Sequence, residues 1–580
     1  MLPVTEKTRK IEENAIFKIV FIAFSILILI IPDLLVNQKL AELNFCLFVL
    51  AKMGLFIFLG LILLRITRSY FLSYLILGIC YLISSIIEIS NIILLDHYIT
   101  ADNMIGLFHS SWTEIREFYV LYRIYLLIPI VLVVVFVFVV RKYRSISYNI
   151  SYQNRLIPLA LIVMVISFIL SFFEVYHSDK VYSGKVILRY AFRNNYLQAH
   201  PFNLLNEGYV LAKNSLRAKK YRALHDNFKF GILNAADTAK PRIVIFIIGE
   251  RMRYSNWSIN GYSRETNPNL EKLRNLISFN KNYSNSNFTY GSIPYIITQA
   301  TPKTPTLAYS QKTIVSLFKE AGYETTWISS QYLFDIIDDR NIVDHLYELY
   351  KKPHTDMDII PVFDSVINKK TSKNRLIVIN MLGGHGGVPP QFNKFNPNNS
   401  RENYAVTMRN APVFINTYDN IILLQDYVLS EVMNETEKQH VSSVVMFTAD
   451  HGCNLFDNGK ALFGYGSANP TEKETHIPML IQMSDQFIEK NSAKYKNLLA
   501  HKDEMTTNND LFYTLADLAN IKYKSFVKEK SISDSCYVEP SSRFVYANST
   551  VFEFKNVKSS KPVVNIAGNN TKKESKSLPE

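Results

Sequence analysis

Cysteine is scarce in this chain, with four in 580 residues. Cys46 and Cys80 fall inside apolar runs. At most one disulfide, between Cys453 and Cys536, is then open to the remainder, which excludes a disulfide-stapled scaffold. Cys453 directly follows Asp450-His451-Gly452, where a bond would be awkward, and whether the pair forms stays open at this level. No internal repeat runs along the sequence, so stacked-repeat architectures are excluded. Nor is the basic excess spread as a nucleic-acid footprint would be. The net charge is +13, but the lysines and arginines concentrate beside the apolar runs and in segment 180–222. That distribution points to an anionic membrane surface and away from nucleic acid.

What the sequence does have is apolar length. Five runs crowd into the first 175 residues, at about 16–36, 45–64, 71–95, 124–140 and 156–173. A bilayer core takes roughly 20 apolar residues, so each run reads as a membrane span. One could be a signal peptide; five cannot. Lys52, Glu88 and Arg123 lie within or at the edges of the runs and read as snorkelling or interhelical partners. Lys7, Arg9 and Lys10 precede the first run, Arg65 and Arg68 follow the second, and Arg141, Lys142, Arg144 and Arg155 lie between the fourth and fifth. The alternate loops carry little charge. The positive-inside rule then predicts a cytoplasmic N-terminus and, after five crossings, a periplasmic remainder.

The expected organisation is a transmembrane domain at 1–175, an interfacial amphipathic linker at 176–235, a catalytic α/β domain at 236–535 and a disordered tail at 556–580. In the linker, residues 190–205 and 209–224 mix aromatic and aliphatic side chains with Arg193, Lys213, Arg217, Lys219 and Lys220, a composition suited to helices lying in the interface. A solvated basic linker is the competing reading. Farther on, short apolar runs alternate with polar, helix-like segments, which is the pattern of an α/β layer fold. Strands are predicted at 242–249, 324–328, 375–382, 442–449 and 477–483, and a helix at 418–434. The tail is rich in Lys, Ser and Asn without apolar periodicity.

Three of the predicted strands end in chemistry. Ile243-Val-Ile-Phe-Ile-Ile-Gly delivers Glu250, the strand at 375–382 delivers Gly383-Gly-His385-Gly-Gly, and Ser442-Ser-Val-Val-Met-Phe-Thr-Ala delivers Asp450-His451-Gly452. Carboxyl ends of strands are where open α/β sheets build their sites. Glu, Asp and His gathered there make an oxygen-and-nitrogen zinc site. A nucleophile is offered by Thr289, in Asn287-Phe-Thr-Tyr-Gly-Ser-Ile-Pro, just before a helix-like stretch whose N-terminus would favour a phosphate. From the pattern alone Thr289 could equally be an ordinary N-cap, and Ser292 competes with it.

Taken in order, several pieces resemble the bacterial phosphoethanolamine transferases, membrane members of the alkaline phosphatase and sulfatase superfamily. They are Gly249-Glu250, Asn260-Gly-Tyr262-Ser-Arg-Glu-Thr-Asn-Pro268, Phe288-Thr289, Gly384-His385-Gly386, Asn416-Thr-Tyr-Asp-Asn420, Asp450-His451-Gly452 and Thr475-His-Ile-Pro478. The resemblance implies a five-helix transmembrane domain followed by a periplasmic α/β sulfatase-like domain in the bacterial inner membrane. It implies that Glu250, Asp450 and His451, with Thr289, hold a zinc ion. Thr289 would attack the phosphorus of phosphatidylethanolamine, and the resulting zinc-bound phosphothreonine intermediate would pass the group to lipopolysaccharide or another envelope glycan. His385 would contact the phosphoethanolamine or a second zinc. Ser110 and Glu114, four residues apart in the second periplasmic loop, would hold the donor headgroup. Asn416–Asn420 would serve either in catalysis or in helix packing.

The sequence also departs from that pattern. Phe463, in Leu462-Phe-Gly464, stands where the family commonly has a histidine, which leaves a second metal open. Cys453-Asn454 replaces an acidic position, Arg251 stands where a small hydroxyl residue is common, and the family's usual periplasmic cysteines are mostly missing. His476 reads as structural and not as a substitute ligand. Two other functions compete: a phosphoglycerol transferase of the same superfamily, and a non-catalytic envelope binding protein. An ordinary sulfatase is disfavoured, because no Cys-x-Pro-x-Arg motif surrounds position 289.

Overall fold

The computed structural model describes residues 28–35 except 29, most of 43–178, 200–234, 242–332, most of 342–555, and 560–563. The breaks within these spans lie at 96, 110–114, 117–118, 121, 124–126, 144–152, 386, 396–403 and 461. Ser110 and Glu114, about two thirds of the first apolar run, residues 190–199 and most of the tail therefore lie outside the described residues. The chain divides into two compact units, one of Met1–Ile105 with Tyr122–Asn214 and one of Gly106–Leu121 with Ser215–Glu580.

The first unit is helical. It contains α1 (Leu43–Thr67), α2 (Tyr70–Leu95), the first five residues of α3 (Ala101–His109), α4 (Leu127–Tyr143) and α5 (Gln153–Ser178). Helix α1 packs on α5 and α2, and α2 packs on α4. Gly54 lets α1 and α5 approach: a Cβ there would lie 3.2 Å from the Met164 amide nitrogen. Tyr74 of α2 stacks on Phe136 of α4 with ring centroids 5.7 Å apart. The outward faces are apolar, with Ile76, Ile79 and Ile83 on α2, Val134 and Phe138 on α4, and Ile162 and Ile166 on α5 all exposed. Among the described residues, one helical stretch, Phe71–Ile93, is long and apolar enough to cross a membrane, while Leu127–Arg141 and Ala160–Leu170 are shorter apolar stretches.

Polar side chains in this unit are buried and satisfied. Lys52 is 6 % exposed and pairs with Asp33, which also accepts from Tyr98. Glu88 accepts from the Ile99 amide at 2.8 Å and from Asn203 at 2.9 Å. Of the two readings open for Lys52 and Glu88, the interhelical partner holds; a charge in an apolar bundle is stable only when paired. In the linker, the stretch read at 209–224 lies within one 26-residue helix, α6 (Phe202–Asn227), which runs on through Gly208; most of the stretch at 190–205 lies outside the described residues.

The second unit is built on a seven-stranded sheet. Its strands are β1 (Arg242–Gly249), β2 (Leu276–Ser278), β3 (Glu324–Ser329), β4 (His345–Glu348), β5 (Arg375–Asn380), β6 (Ser442–Ala449) and β7 (Met479–Met483). Their order is β2-β7-β6-β1-β5-β3-β4. The pairs from β6 to β4 are all parallel, and β7 is antiparallel to β6. The five strands read from the sequence are all present. The strands β2 and β4, three and four residues long, gave too short a pattern to be read. Helices α7 (Thr289–Ile297), α8 (Ile359–Ile367), α9 (Ala411–Glu437) and α10 (Asn508–Leu518) pack around the sheet, α9 extending the predicted helix at both ends. The continuous runs of β1 and β6 are buried on both faces, as a covered parallel sheet requires. Strands β8 (Arg543–Ala547), β9 (Thr550–Phe554) and β10 (Ser560–Val563) form a separate antiparallel sheet. Within the tail expected to be disordered, residues 560–563 are the described ones, and they pair with the edge of β9.

Two of the quoted motifs turn out to pack on each other. Asp419 of α9, fully buried, accepts from Asn256 at 2.6 Å, Tyr262 at 2.9 Å and Arg264 at 2.8 Å. Its neighbour Tyr418 donates to the Arg251 carbonyl and accepts from the Arg253 amide, at 3.0 and 2.8 Å. The Asn-Thr-Tyr-Asp-Asn segment therefore braces the backbone immediately after Glu250, which is the packing role of the two that were open. Asp419→Ala leaves the buried Asn256 amide without its acceptor and removes a partner from the less buried Tyr262 and Arg264, and is expected to destabilise the protein by about 1–3 kcal/mol, read as a fall in melting temperature against the wild type; an unchanged melting temperature would show that the network carries no stability.

A candidate metal and nucleophile site at the strand ends

Register brings the chemistry together. Gly249 pairs with Ala449 and Ile248 with Asn380, so β1, β6 and β5 end side by side and release Glu250, Asp450-His451 and Gly383–His385 at one edge. The turn after β5 is tight. Gly383 has φ +52°, and a Cβ there would lie 2.3 Å from the Glu250 carbonyl oxygen, so glycine is required. Asp356 accepts from the Leu382 and Gly383 amides, each at 2.8 Å, and holds that turn from below.

Thr289 is the first residue of α7, and its hydroxyl lies 3.3 and 3.1 Å from the two Glu250 carboxylate oxygens and 3.2 Å from His451 Nε2. His451 Nδ1 donates to the Gly452 carbonyl at 2.8 Å, which leaves Nε2 facing Thr289. His385 Nε2 stands 3.4 Å from Glu250 Oε1, as does His451 Nε2, and the Tyr465 hydroxyl is 3.2 Å from His385 Nε2. The structure thus gathers Glu250, Thr289, His385, Asp450 and His451. Ser292 is turned elsewhere: one turn along α7, it donates to the Ser286 carbonyl at 3.3 Å and meets Ser284 at 3.1 Å.

The electrostatics ask for a cation. Glu250, Asp450 and His451 are all buried, and each offers an atom within 4.8 Å of the others'. Asp450 Oδ1 accepts from the amides of Arg251 and His451, at 3.0 and 2.6 Å, but its Oδ2 is buried with no hydrogen-bond partner. An orphaned carboxylate oxygen costs several kcal/mol unless a proton or a metal ion meets it. Burial, reinforced by the Glu250 charge, pushes the Asp450 carboxyl up to about 8. For Glu250, burial acts in the same direction, but hydrogen bonds and charge from His385 and His451 outweigh it and hold the carboxyl well below its usual value. The set of two carboxylates, one imidazole and one hydroxyl fits zinc.

The departures from the family pattern are packed into the fold. Phe463 lies in an aromatic cluster, 5.0 Å from Phe414 and 5.2 Å from Phe456 by ring centroids. The Arg251 guanidinium covers both Phe463 and Tyr465, at 5.5 and 5.4 Å. Asn454 accepts from Thr471 at 2.8 Å within a short hairpin. Cys453 is buried whereas Cys536 is exposed, and both are free thiols. Sequence reasoning missed Gln331, just beyond β3, whose side chain donates to Glu250 Oε2 at 3.1 Å; no motif marks it, and strand order alone brings it there. It also missed Tyr465, whose ring lies 4.4 Å from that of His451.

His476 is a structural residue. Its ring is sandwiched between Tyr254 and Tyr283, with centroids 4.0 and 4.8 Å away, and Nε2 donates to the Asn280 carbonyl at 2.9 Å.

Comparison with known proteins agrees with this geometry. Residues 242–521 match the sulfatase family model, and that part of the chain is a sulfatase-family domain. The curated relatives that match the chain include phosphoethanolamine transferases, the family that its motifs resemble. Phosphoethanolamine transferase EptC of Escherichia coli K12 is 24 % identical over 319 residues, covering 52 % of this chain and 54 % of that protein. Phosphoethanolamine transferase EptA of the same strain is 26 % identical over 328 residues, covering 51 % and 56 %. The chain spans about half the length of these curated relatives. Among solved structures, the integral membrane lipooligosaccharide phosphoethanolamine transferase A of Neisseria meningitidis superposes with TM-score 0.66 at 19 % identity, covering 86 % of this chain and 92 % of that one. The zinc complex of the periplasmic domain of Escherichia coli EptC gives TM-score 0.50 at 22 % identity, over 55 % and 93 %. These likenesses show the fold: a helical first part and a C-terminal α/β domain of the sulfatase-like kind.

Burial, aided by the nearby Arg543 and Lys473 charges, pushes the His476 imidazole down to about 4 from 6.5. The unfolded chain then binds a proton that the folded one refuses, so stability is full above pH 6.5 and is lost as pH falls toward 4. The loss tends to about 3 kcal/mol. In thermal melts, the gap between wild type and His476→Gln is expected to narrow from pH 7 to 4.5; a constant gap would refute the linkage.

Proposed function

We propose that the protein is a phosphoethanolamine transferase of the bacterial inner membrane, taking its group from phosphatidylethanolamine and passing it to an envelope glycan such as lipopolysaccharide lipid A or core, or a periplasmic glucan. The observation that carries this reading is the Thr289 hydroxyl at the N-terminus of α7, within hydrogen-bond distance of both Glu250 and His451. The apolar outward faces of the helical unit, and the names of the relatives, support a lipid donor. In this reading five spans anchor the chain with its N-terminus in the cytoplasm and its catalytic domain in the periplasm. Glu114 and Ser110 are proposed to meet the donor headgroup.

Glu250, Asp450, His451 and Thr289 are the residues that would hold zinc, which when bound would lower the pKa of the threonine hydroxyl and offset phosphate charge. The remaining steps belong to the chain. Thr289 Oγ1 attacks the phosphorus, the bond from phosphorus to the glycerol oxygen breaks, and diacylglycerol leaves with the proton that the threonine gave up. The N-terminal end of α7, which carries Thr289, would favour the phosphate's charge. His385 contacts the phosphoethanolamine. An acceptor hydroxyl then attacks the phosphothreonine, and the bond from phosphorus to Oγ1 breaks.

Incubating the purified full-length protein with zinc and phosphatidylethanolamine is expected to add one phosphoethanolamine at Thr289, visible by intact-mass and peptide mass spectrometry. Thr289→Ala should lower transfer by about a thousandfold or more while leaving the fold intact. A phosphoglycerol adduct from phosphatidylglycerol would transfer the proposal to the sister activity. No adduct with either lipid, from folded and zinc-loaded protein, would favour a binding protein. Stripping the metal with a chelator should abolish transfer and added zinc should restore it; activity that survives exhaustive stripping would exclude zinc from the site.

A further inference from the structure

A fourth strand end reaches the site. Strand β3 lies next to β5, and two residues beyond its end the Gln331 side chain crosses to β1, donating to Glu250 Oε2 at 3.1 Å and to the Met381 carbonyl at 2.8 Å. Both acceptors are oxygens without protons, so the amide nitrogen has to face them: the flipped amide would set its own oxygen against each. Both N–H bonds of the amide are thereby used. The backbone behind it is fixed as well. The Ser329 hydroxyl donates to the Gln331 carbonyl at 2.6 Å, and His354 Nε2 donates to the Ser330 carbonyl at 2.8 Å. The Met381 amide in turn donates to the Ile248 carbonyl at 2.9 Å, so the second acceptor is anchored to β1.

The consequence falls on one carboxylate. Glu250 Oε2 is held by Gln331, while Oε1 faces His385 and His451 at 3.4 Å each. We propose that Gln331 is a positioning residue for the metal: by holding Oε2 it sets the plane of the Glu250 carboxylate and presents it to the ion already oriented. This rests on the zinc reading of the site, and it assigns no contact between Gln331 and substrate. Groups that orient a metal-binding carboxylate typically contribute 10- to 100-fold to metal affinity, because a ligand free to rotate must be ordered when the ion binds.

The test is a zinc titration of the full-length, metal-stripped protein in detergent against a chromophoric chelator, comparing wild type with Gln331→Met, which keeps the length and removes both donors. The expected result is a zinc Kd raised by about 10- to 100-fold, with the metal-free melting temperature little changed. A Kd raised by more than threefold supports the assignment, and a Kd within threefold of wild type overturns it. A merely structural role would lower the metal-free melting temperature and leave the Kd of the folded molecules in place, which also overturns it. If methionine is not accommodated, Gln331→Ala is read by the same threefold criterion. A wild-type protein that binds no zinc would sink the metal reading itself, which is a distinct outcome from equal affinities in wild type and variant.

Discussion

Two carboxylates and an imidazole are buried together at the end of a parallel sheet, and the rest of the catalytic unit is arranged around keeping them there. Glu250 and Asp450 are each at most 1 % exposed. Two buried negative charges at such separation repel strongly in a low-dielectric interior. The apoprotein meets that repulsion unevenly: protons gather on Asp450 and His451, while Glu250 keeps its charge. A divalent cation would relieve it with one charge centre, and Asp450 Oδ2 has no hydrogen-bond partner, only His451 Nε2 at 3.5 Å. The donor set of Glu250, Asp450 and His451 is one that could hold such an ion.

Holding such a site requires bracing on every side, and the conspicuous polar segments of the chain supply it. Tyr418 and Asp419 fix the backbone after Glu250. Asp356 fixes the glycine turn that carries His385. Glu474, fully buried, accepts from the Ser467 and Thr471 amides and from Asn287, two residues before Thr289. None of these residues faces the nucleophile. They explain how several motifs can be so specific in the chain without each touching a substrate.

Legibility followed periodicity and length. The buried strands β1, β5 and β6 are continuous apolar runs, and their abrupt endings in Glu, Gly-His and Asp-His made the core of the site readable. The strand β4 is half-exposed and four residues long, and β2 has three residues, so neither made a pattern above noise. In the linker, α6 runs through Gly208, which separates the two stretches read from the sequence, so composition there did not report where the helix begins. Ser292 and Thr289 were indistinguishable in sequence since both are hydroxyls in one helical turn, and only the direction in which each points separates them.

The sequence by itself determined that the chain has an apolar, helix-forming first part and an α/β second part, and it singled out Glu250, Thr289, His385, Asp450 and His451 as the candidate site. Those are properties of local pattern, and each is legible where it stands. Tertiary structure alone decided which hydroxyl meets the carboxylate, that Phe463 belongs to an aromatic cluster, and that Gln331 reaches Glu250 from eighty-one residues away. The physical reason is that strand order is set by the packing of whole faces and by crossover connections, so residues far apart in the chain become neighbours through contacts that no local window of sequence contains.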